Sequence, residues 1–251
     1  MTENRSLFKS MTILGLLLAI GMASAAFILG VQAKRAVSGQ QSITVKGLAE
    51  KPLKADSAEW SINIGVTNNT PAGALADVSA TKKIVVAFLN KQGLNSDTWS
   101  ADVETLNPHY EDVYINNTPR QVQKGYDAYQ NIRIVSNDLA KITTANKAFL
   151  QLRADNQPVT ASAPQYLVSD LESIKMSLIA DATKNARSRA TEFVKQDGVK
   201  VGVMKSASQG AFYILPIGGG DDSDNSYGGV YDKTTIDKKA RVVVTIVYSI
   251  E

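Results

Sequence analysis

An uninterrupted apolar stretch precedes a long body in which apolar positions alternate or recur at helical spacing. No charged residue stands between Ser10 and Ala33, and the run from Met11 to Val31 is mostly Leu, Ile, Ala, Gly and Met. As a helix, residues 10–33 would reach roughly 36 Å, which exceeds the roughly 30 Å hydrocarbon core of a bilayer. We therefore predict one N-terminal transmembrane helix.

Two interpretations of this segment stay open, an uncleaved signal anchor, which we favour, and a cleaved signal peptide. Ala23, Ser24 and Ala25 form a small-residue cleavage pattern, but cleavage there would leave an exposed apolar start, AFILGV. Basic residues flank the segment on both sides, so they orient it only weakly. We expect the N-terminus inside and the large domain outside. The predicted organisation is a cytoplasmic N-terminus at 1–10, an anchor at 11–31, a linker at 32–41 and one domain at 42–251.

Alternation of apolar and polar residues predicts strands in the body of the chain. Trp60, Ile62, Ile64 and Val66 share one face of a strand over residues 59–66. Further strands are predicted over 42–50 (interrupted at Pro52), 98–107, 126–135, 159–168 (an edge or bulge at Pro164), 201–209, 212–217 and 236–251, with a hairpin over 108–123 that turns at Asn116–Pro119. The segment from Arg241 to Tyr248 is apolar on both faces, which predicts a central strand.

Three further helices are predicted behind the N-caps Thr70, Asp138 and Asp170. The first is expected to end at Gly93 and the last at Gly198. Their apolar stripes are Leu75, Val78, Val85, Val86 and Leu89 in the first, and Leu171, Ile174, Leu178, Ala182, Ala186, Ala190 and Phe193 in the last. The alanines would let the last helix lie close to a sheet. The element order predicts an α+β fold, a mostly antiparallel sheet with helices packed on one face in ββα-type units.

Composition excludes several chemistries. The chain has 251 residues, no cysteine and one histidine, which excludes disulfides, thiolate catalysis and a histidine-rich metal site within one chain. A net charge of +3 without a basic run argues against nucleic acid as a partner. We predict no catalytic residue, no cofactor and no bound metal.

His109 and a group of tyrosines are the candidate functional residues. Glu111 and Asp112 stand beside His109, which could form a small acid/base or metal cluster. An exposed loop histidine is the favoured interpretation, because consecutive residues do not converge on one point. The tyrosines could line a binding surface, although sheet and interface packing is favoured. They are Tyr110, Tyr114, Tyr126 and Tyr129.

The loop from Gly218 to Tyr231 has an acidic pattern, D-x-D-x-S, that partly matches a calcium site. Tyr227 occupies the place where an EF-hand needs glycine, and Lys233 stands where the closing glutamate belongs, so a solvated loop is favoured. The glycines 218–220 lack the Lys-Ser/Thr of a phosphate cradle.

Arg187 and Arg189 are interpreted as a solvated helix face. Two Asn-Asn-Thr sequences, at 68–70 and 116–118, match a glycosylation pattern that matters only in a host with that machinery.

Several segments together resemble the SIMPL domain family of bacterial proteins. The long helix and following strand read VSDLESIKMSLIADATKNARSRATEFVKQDGVKVG, and the family's opening is similar to ITVKGLAEKPLKADSAEWSINIGV. Its middle resembles LNPHYED followed by GYDAYQNIRIVSNDLAKI, and its closing strand resembles IDKKARVVVTIVYSI. The resemblance covers residues 42–251.

This resemblance implies an extracytoplasmic or membrane-anchored α+β domain without an established catalytic motif. Family members include a periplasmic protein that assembles into a channel-like ring, and some are linked to envelope or oxidative stress tolerance. The leading hypothesis is therefore a non-enzymatic, single-pass protein of a bacterial inner membrane whose periplasmic domain forms a homo-oligomer. Alternatives are a soluble periplasmic form after signal cleavage, a binding module for a small ligand or protein partner, and, less favoured, a hydrolytic enzyme.

Overall fold

The computed structural model describes residues 3–38, 41–115, 118–218 and 229–251. The elements in order are α1 (Glu3–Ser38), β1 (Ser42–Lys54), β2 (Ser57–Asn68), α2 (Pro71–Lys91), β3 (Trp99–Ala101), β4 (Thr105–Ile115), β5 (Thr118–Ser136), α3 (Leu139–Ala154), β6 (Val159–Ala161), β7 (Gln165–Leu167), α4 (Leu171–Lys195), β8 (Val201–Pro216) and β9 (Asp237–Ile250). The prediction of an α+β fold with antiparallel strands is confirmed.

The apolar stretch at the N-terminus lies within one continuous helix, as predicted. Within α1, the span Leu14–Gln32 has a mean hydropathy of 2.3, and none of it is buried against the rest of the protein. It is long and apolar enough to cross a membrane or to serve as a signal sequence. The helix continues to Ser38, through most of the segment that we expected to be a linker.

The chain divides into two compact units. Unit 1 consists of residues 1–49, 176–211 and 242–251, and unit 2 of residues 50–175 and 212–241. The strands form two sheets, where the sequence pattern suggested one. A six-stranded sheet contains β3, β5, β2 and β6 in that order, with β4 also paired to β5 and β7 to β2. A three-stranded sheet has the order β1-β9-β8.

The core of unit 2 lies between its sheet and the helices α2 and α3. The predicted face of β2 is confirmed, because Trp60, Ile62 and Ile64 are fully buried. The Trp60 ring meets Phe149 of α3 edge to face, with ring centroids 5.7 Å apart, and its Nε1–H donates to the Ser162 carbonyl oxygen at 3.0 Å. Side chains at alternate positions therefore point to the opposite, polar face of the sheet.

The predicted helix caps are present. Thr70 Oγ1 accepts from the Gly73 N–H at 3.1 Å, Asp138 Oδ1 from Lys141 at 3.1 Å, and Asp170 Oδ1 from Ser173 at 3.2 Å. α2 and α4 end just before Gly93 and Gly198, whose φ angles are +75° and +71°. Capping residues were readable in the sequence because their hydrogen bonds are local.

Strand β9 occupies the centre of the three-stranded sheet, as its two apolar faces predicted. β1 was expected to end before Pro52 but continues to Lys54. It is an edge strand, and an edge tolerates a residue without an N–H. β8 was expected as two strands and is one. Gly210 lies at the expected break, where a Cβ would stand 3.1 Å from the Val243 carbonyl oxygen.

Three further expectations were wrong in detail. The strand predicted over 98–107 divides into β3 and β4, because the main chain at Asp102 bonds to side-chain and main-chain groups of β5. Leu75, expected in the apolar stripe of α2, is 40% exposed. Phe193 of α4 is 66% exposed, and Val194 takes its buried place. A step of four residues from Ala190 reaches Val194, in keeping with the helical repeat of 3.6.

Candidate functional site

His109 lies on strand β4 and belongs to a small polar network, whereas the sequence favoured an exposed loop histidine. Its Nδ1 is 2.9 Å from Asp127 Oδ2, across the β4–β5 pair. Thr67 of β2 donates its hydroxyl to the other oxygen, Asp127 Oδ1, at 2.6 Å. Glu111, two residues along the strand, places Oε1 3.6 Å from His109 Nε2. Asp127 and Thr67 were not candidates in the sequence because only strand pairing brings them to His109.

These contacts perturb the two titrating groups in opposite directions. The hydrogen bond to Asp127 raises the pKa of His109 above its ordinary value of 6.5, and the neighbouring carboxylate charges reinforce the rise. The hydrogen bond from Thr67, followed by that from His109, lowers the pKa of Asp127 below its ordinary value of 3.8. Asp127 is therefore a carboxylate that favours imidazolium at His109.

The arrangement does not have the order of a nucleophilic triad. In such a triad the hydroxyl bonds to the histidine and the carboxylate to the opposite ring nitrogen. Here the Thr67 hydroxyl donates to Asp127 and not to His109, so the imidazole is not placed to take the hydroxyl proton. Among the described residues, no group of three or more His, Asp or Glu side chains could hold a metal ion. The geometry is that of an ion pair joining strands.

The titration of His109 gives a direct test of this network. Because the pKa of His109 is raised on folding, the stability that the pair contributes is complete below 6.5 while Asp127 stays ionised, and it is lost as the pH rises through the folded-state pKa of His109. The single histidine gives one set of imidazole resonances in NMR spectra. We expect the pKa of His109 to lie above 6.5 in the wild type. In Asp127→Asn it should shift back toward 6.5, because the carboxylate partner is lost. Asp112→Asn is the matched control, and a wild-type pKa at or below 6.5 would contradict the network.

The four candidate tyrosines have different surroundings. Tyr126 packs against the core of unit 2, which agrees with the favoured packing interpretation. Tyr110 is 54% and Tyr114 71% exposed, and Tyr129 is 48% exposed opposite Gly65 of β2. Packing in one chain therefore explains one tyrosine and leaves three available to a partner or ligand.

Tyr110 and Tyr114 belong to a two-stranded projection that we call the free hairpin, residues 109–115 of β4 with 118–125 of β5. β5 pairs with β2 only from Tyr126 onward, whereas its pairing with β4 continues to Thr118. Seven residues of β4 therefore extend roughly 23 Å beyond the sheet. The predicted hairpin is confirmed. Of the predicted turn positions 116–119, positions 118 and 119 belong to β5, and 116 and 117 lie outside the described part of the chain.

One buried ion pair of unit 2 was not anticipated. Lys238 of β9 is fully buried, and its Nζ donates to the Asp232 carbonyl oxygen at 2.6 Å and lies 3.2 Å from Asp232 Oδ2. Burial by itself raises the pKa of Asp232, but hydrogen bonds from Thr235, Thr234 and Lys238 hold it well below its usual range. A lysine near the start of an alternating strand gives no sequence signal for such burial.

The remaining sequence candidates are two arginines of α4, the acidic loop and a glycosylation pattern. Arg187 lies over the Tyr248 ring at 5.6 Å, and Arg189 donates to the Lys46 carbonyl oxygen at 3.2 Å. Both arginines are exposed, as a solvated face requires, but each also contacts its own unit. The acidic positions 221–226 and the glycosylation asparagines 116 and 117 lie outside the described residues.

Comparison with known proteins gives a family match over most of the chain. The family model SIMPL, described as a protein of unknown function (DUF541), matches residues 43–247. No curated protein matches the chain. Among solved structures, CutA1 from Shewanella sp. SIB1 is similar at 10% identity over 52% of this chain and 98% of that one, with a TM-score of 0.24.

Other solved structures are comparably distant. The de novo designed protein Foldit4 matches at 15% identity over 42% of this chain and 93% of its own, with a TM-score of 0.23. A putative amidohydrolase/peptidase from Burkholderia cenocepacia matches at 15% identity over 49% of this chain and 28% of its own, with a TM-score of 0.20. Similarity at this level supports no argument about function.

Proposed function

The chain belongs to the SIMPL (DUF541) family, and from that premise we propose that it is a non-enzymatic, self-assembling domain held at a membrane by α1. The domain would lie in the periplasm of a bacterium, with α1 in the inner membrane. A role in envelope or oxidative stress tolerance fits this placement. The free hairpin is the observation that carries the proposal.

An isolated two-stranded hairpin is at best marginally stable in water, since it buries little apolar surface. The free hairpin exposes Tyr110, Tyr114 and Val122. Its two outer edges also carry backbone groups that no neighbouring strand of the described chain uses. A second copy that pairs with these edges would bury the tyrosines and satisfy the backbone groups together.

The edge of β1 offers a useful contrast within unit 1. The Leu48 N–H donates to Asn185 Oδ1 at 3.1 Å, and the Lys46 carbonyl oxygen accepts from Arg189 at 3.2 Å. Side chains of α4 thus occupy backbone hydrogen-bonding groups on the edge of β1. Covering an edge in this way is one means by which proteins prevent edge-to-edge association. Within the described part of the chain, no side chain of another helix or strand bonds to the backbone of the free hairpin in this way.

Charge on the free hairpin favours a head-to-tail contact. The β4 arm carries Glu111 and Asp112, and the β5 arm carries Arg120 and Lys124. Edge pairing of β4 in one copy with β5 in the next would bring opposite charges together, whereas β4 against β4 would oppose like charges. A contact between two different surfaces can repeat from one copy to the next. The copies form a closed ring when the rotation that relates neighbours completes a full turn.

The test is a charge exchange measured by light scattering of the full-length protein in mild detergent. We expect a discrete assembly for the wild type and its loss in Glu111→Lys/Asp112→Lys, because both arms are then positive. Adding Arg120→Glu/Lys124→Glu should restore assembly, since the arms are again complementary.

Asp181→Lys on the exposed face of α4 serves as the matched control and should assemble normally. A strictly monomeric wild-type protein would refute self-assembly. An assembly that the reversed arm leaves unchanged would place the interface elsewhere and refute the role of the free hairpin.

A further inference from the structure

A groove of about 750 Å³ lies on unit 2 beside the end of α3 and the strands β2 and β6. Ligand sites commonly have volumes of roughly 300–1,000 Å³. The residues that line it include Asn63, Gly65, Tyr129, Arg153, Asn156 and Thr160. We call it the Tyr129 groove.

Tyr129 forms an aromatic platform on the floor of the groove. It stands directly opposite Gly65 in the β2–β5 register, and ring atoms Cδ1 and Cε1 lie 3.1 Å from the position that a Cβ at Gly65 would occupy. Glycine thus lets the ring rest on the backbone of β2. Since the ring is still 48% exposed, part of its surface remains open for stacking.

The wall of the groove is held by backbone hydrogen bonds. The chain leaves α3 through Asn156, whose φ is +56°, and its N–H donates to the Arg153 carbonyl oxygen at 3.1 Å. The Gly65 N–H then donates to the Pro158 carbonyl oxygen at 3.1 Å, which ties this turn to β2. The groove is therefore built before any ligand arrives.

Polar side chains around the platform have unused hydrogen-bonding capacity. The side chains of Asn63, Asn156 and Thr160 are exposed and make no hydrogen bond to any described residue. Arg153 is exposed and has no carboxylate partner within ion-pair distance among the described residues. The groove thus combines planar amides, a hydroxyl, one cation and one aromatic ring.

We propose that the Tyr129 groove binds a saccharide that carries a carboxylate. The C–H face of a sugar ring packs on an aromatic face, whose π electrons attract the slightly positive C–H edge. Amide side chains donate and accept at once, which suits neighbouring sugar hydroxyls, and a guanidinium binds a carboxylate through two parallel hydrogen bonds. A single cation suits one carboxylate better than a polyphosphate.

This site does not depend on assembly. The groove lies within unit 2 of one chain, and none of the residues that line it belongs to the free hairpin. Saccharide binding and self-assembly can consequently fail separately, because one is measured by titration and the other by mass.

The test is isothermal titration calorimetry on the full-length protein in mild detergent. The acidic probe is the disaccharide of N-acetylglucosamine and N-acetylmuramic acid, and the neutral probe is chitobiose. We expect saturable binding with a preference for the acidic probe. Tyr129→Ala should weaken both probes about tenfold, and Arg153→Gln should remove the preference and leave the neutral probe unchanged.

One control and one further variant make the outcome decisive. Phe193→Ala removes an exposed aromatic ring from α4 and should bind like the wild type. Gly65→Ala tests the platform separately, because its Cβ would displace the Tyr129 ring without removing a polar group. The proposal is overturned by absence of binding in folded wild-type protein, or by binding that Tyr129→Ala and Arg153→Gln leave unchanged. If Tyr129→Ala does not fold, the Arg153→Gln result decides alone.

Discussion

Replacing Gly47 with alanine is expected to destabilise unit 1 by about 3 kcal/mol, near the upper end of ordinary overpacking costs. A Cβ at this position would stand 2.0 Å from the Ala182 carbonyl oxygen and 2.7 Å from the Ala186 Cβ. The obstacle includes the backbone of α4, which cannot rotate away as a side chain can. Strand β1 and α4 would have to separate.

That separation would also disrupt hydrogen bonds across the contact. The Asn185 amide oxygen that accepts from Leu48 and the Arg189 guanidinium that donates to Lys46 both bridge α4 and β1. Ala182 and Ala186 are fully buried at this contact. Close packing through small residues, which the alanine stripe predicted, is therefore confirmed and requires glycine on the opposing strand.

Thermal unfolding of the full-length protein followed by circular dichroism measures this effect. We expect Tm to fall by roughly 10 °C in Gly47→Ala. Gly21→Ala is the control for the same chemical change, because a Cβ there meets no atom within 4 Å. Adding Ala186→Gly should not restore Tm, since the contact with the Ala182 oxygen remains. A variant that melts with the wild type would show that β1 and α4 are not in contact at Gly47.

Replacing Lys238 with methionine is expected to cost about 3–5 kcal/mol, the range seen when one partner of a buried ion pair is removed. Asp232, whose side chain is 8% exposed, would retain its charge without its cation. Its carbonyl oxygen would also lose the Lys238 Nζ donor. Methionine matches the length of the lysine stem, so loss of packing contributes little.

The matched control is Lys54→Met, which removes an ion pair with Asp237 whose side chains are 71% and 64% exposed. Such surface pairs contribute about 0–1 kcal/mol. Urea denaturation of both variants should therefore give clearly different midpoints. Lys238→Met/Asp232→Asn should recover part of the loss, because the unpaired charge is gone. Equal midpoints for the two single variants would show that Lys238 is solvated rather than buried.

The sequence by itself determined the features that depend on local periodicity and local hydrogen bonds. The apolar span of α1, the caps at Thr70, Asp138 and Asp170, and the buried face of β2 all follow from spacing within a single element. The central place of β9 also followed, because a strand that is apolar on both faces needs cover on both sides. The family resemblance rested on the same local segments.

Tertiary structure alone decided which distant residues meet. His109 pairs with Asp127 across 18 positions, the Tyr129 ring rests on Gly65 through strand register, and Lys238 is buried with Asp232 by a turn before β9. Exposure of Phe193 and burial of Val194 likewise depend on which helix face meets the sheet. Contacts of this kind depend on register and on the cover that other elements provide, and neither is visible in a local pattern.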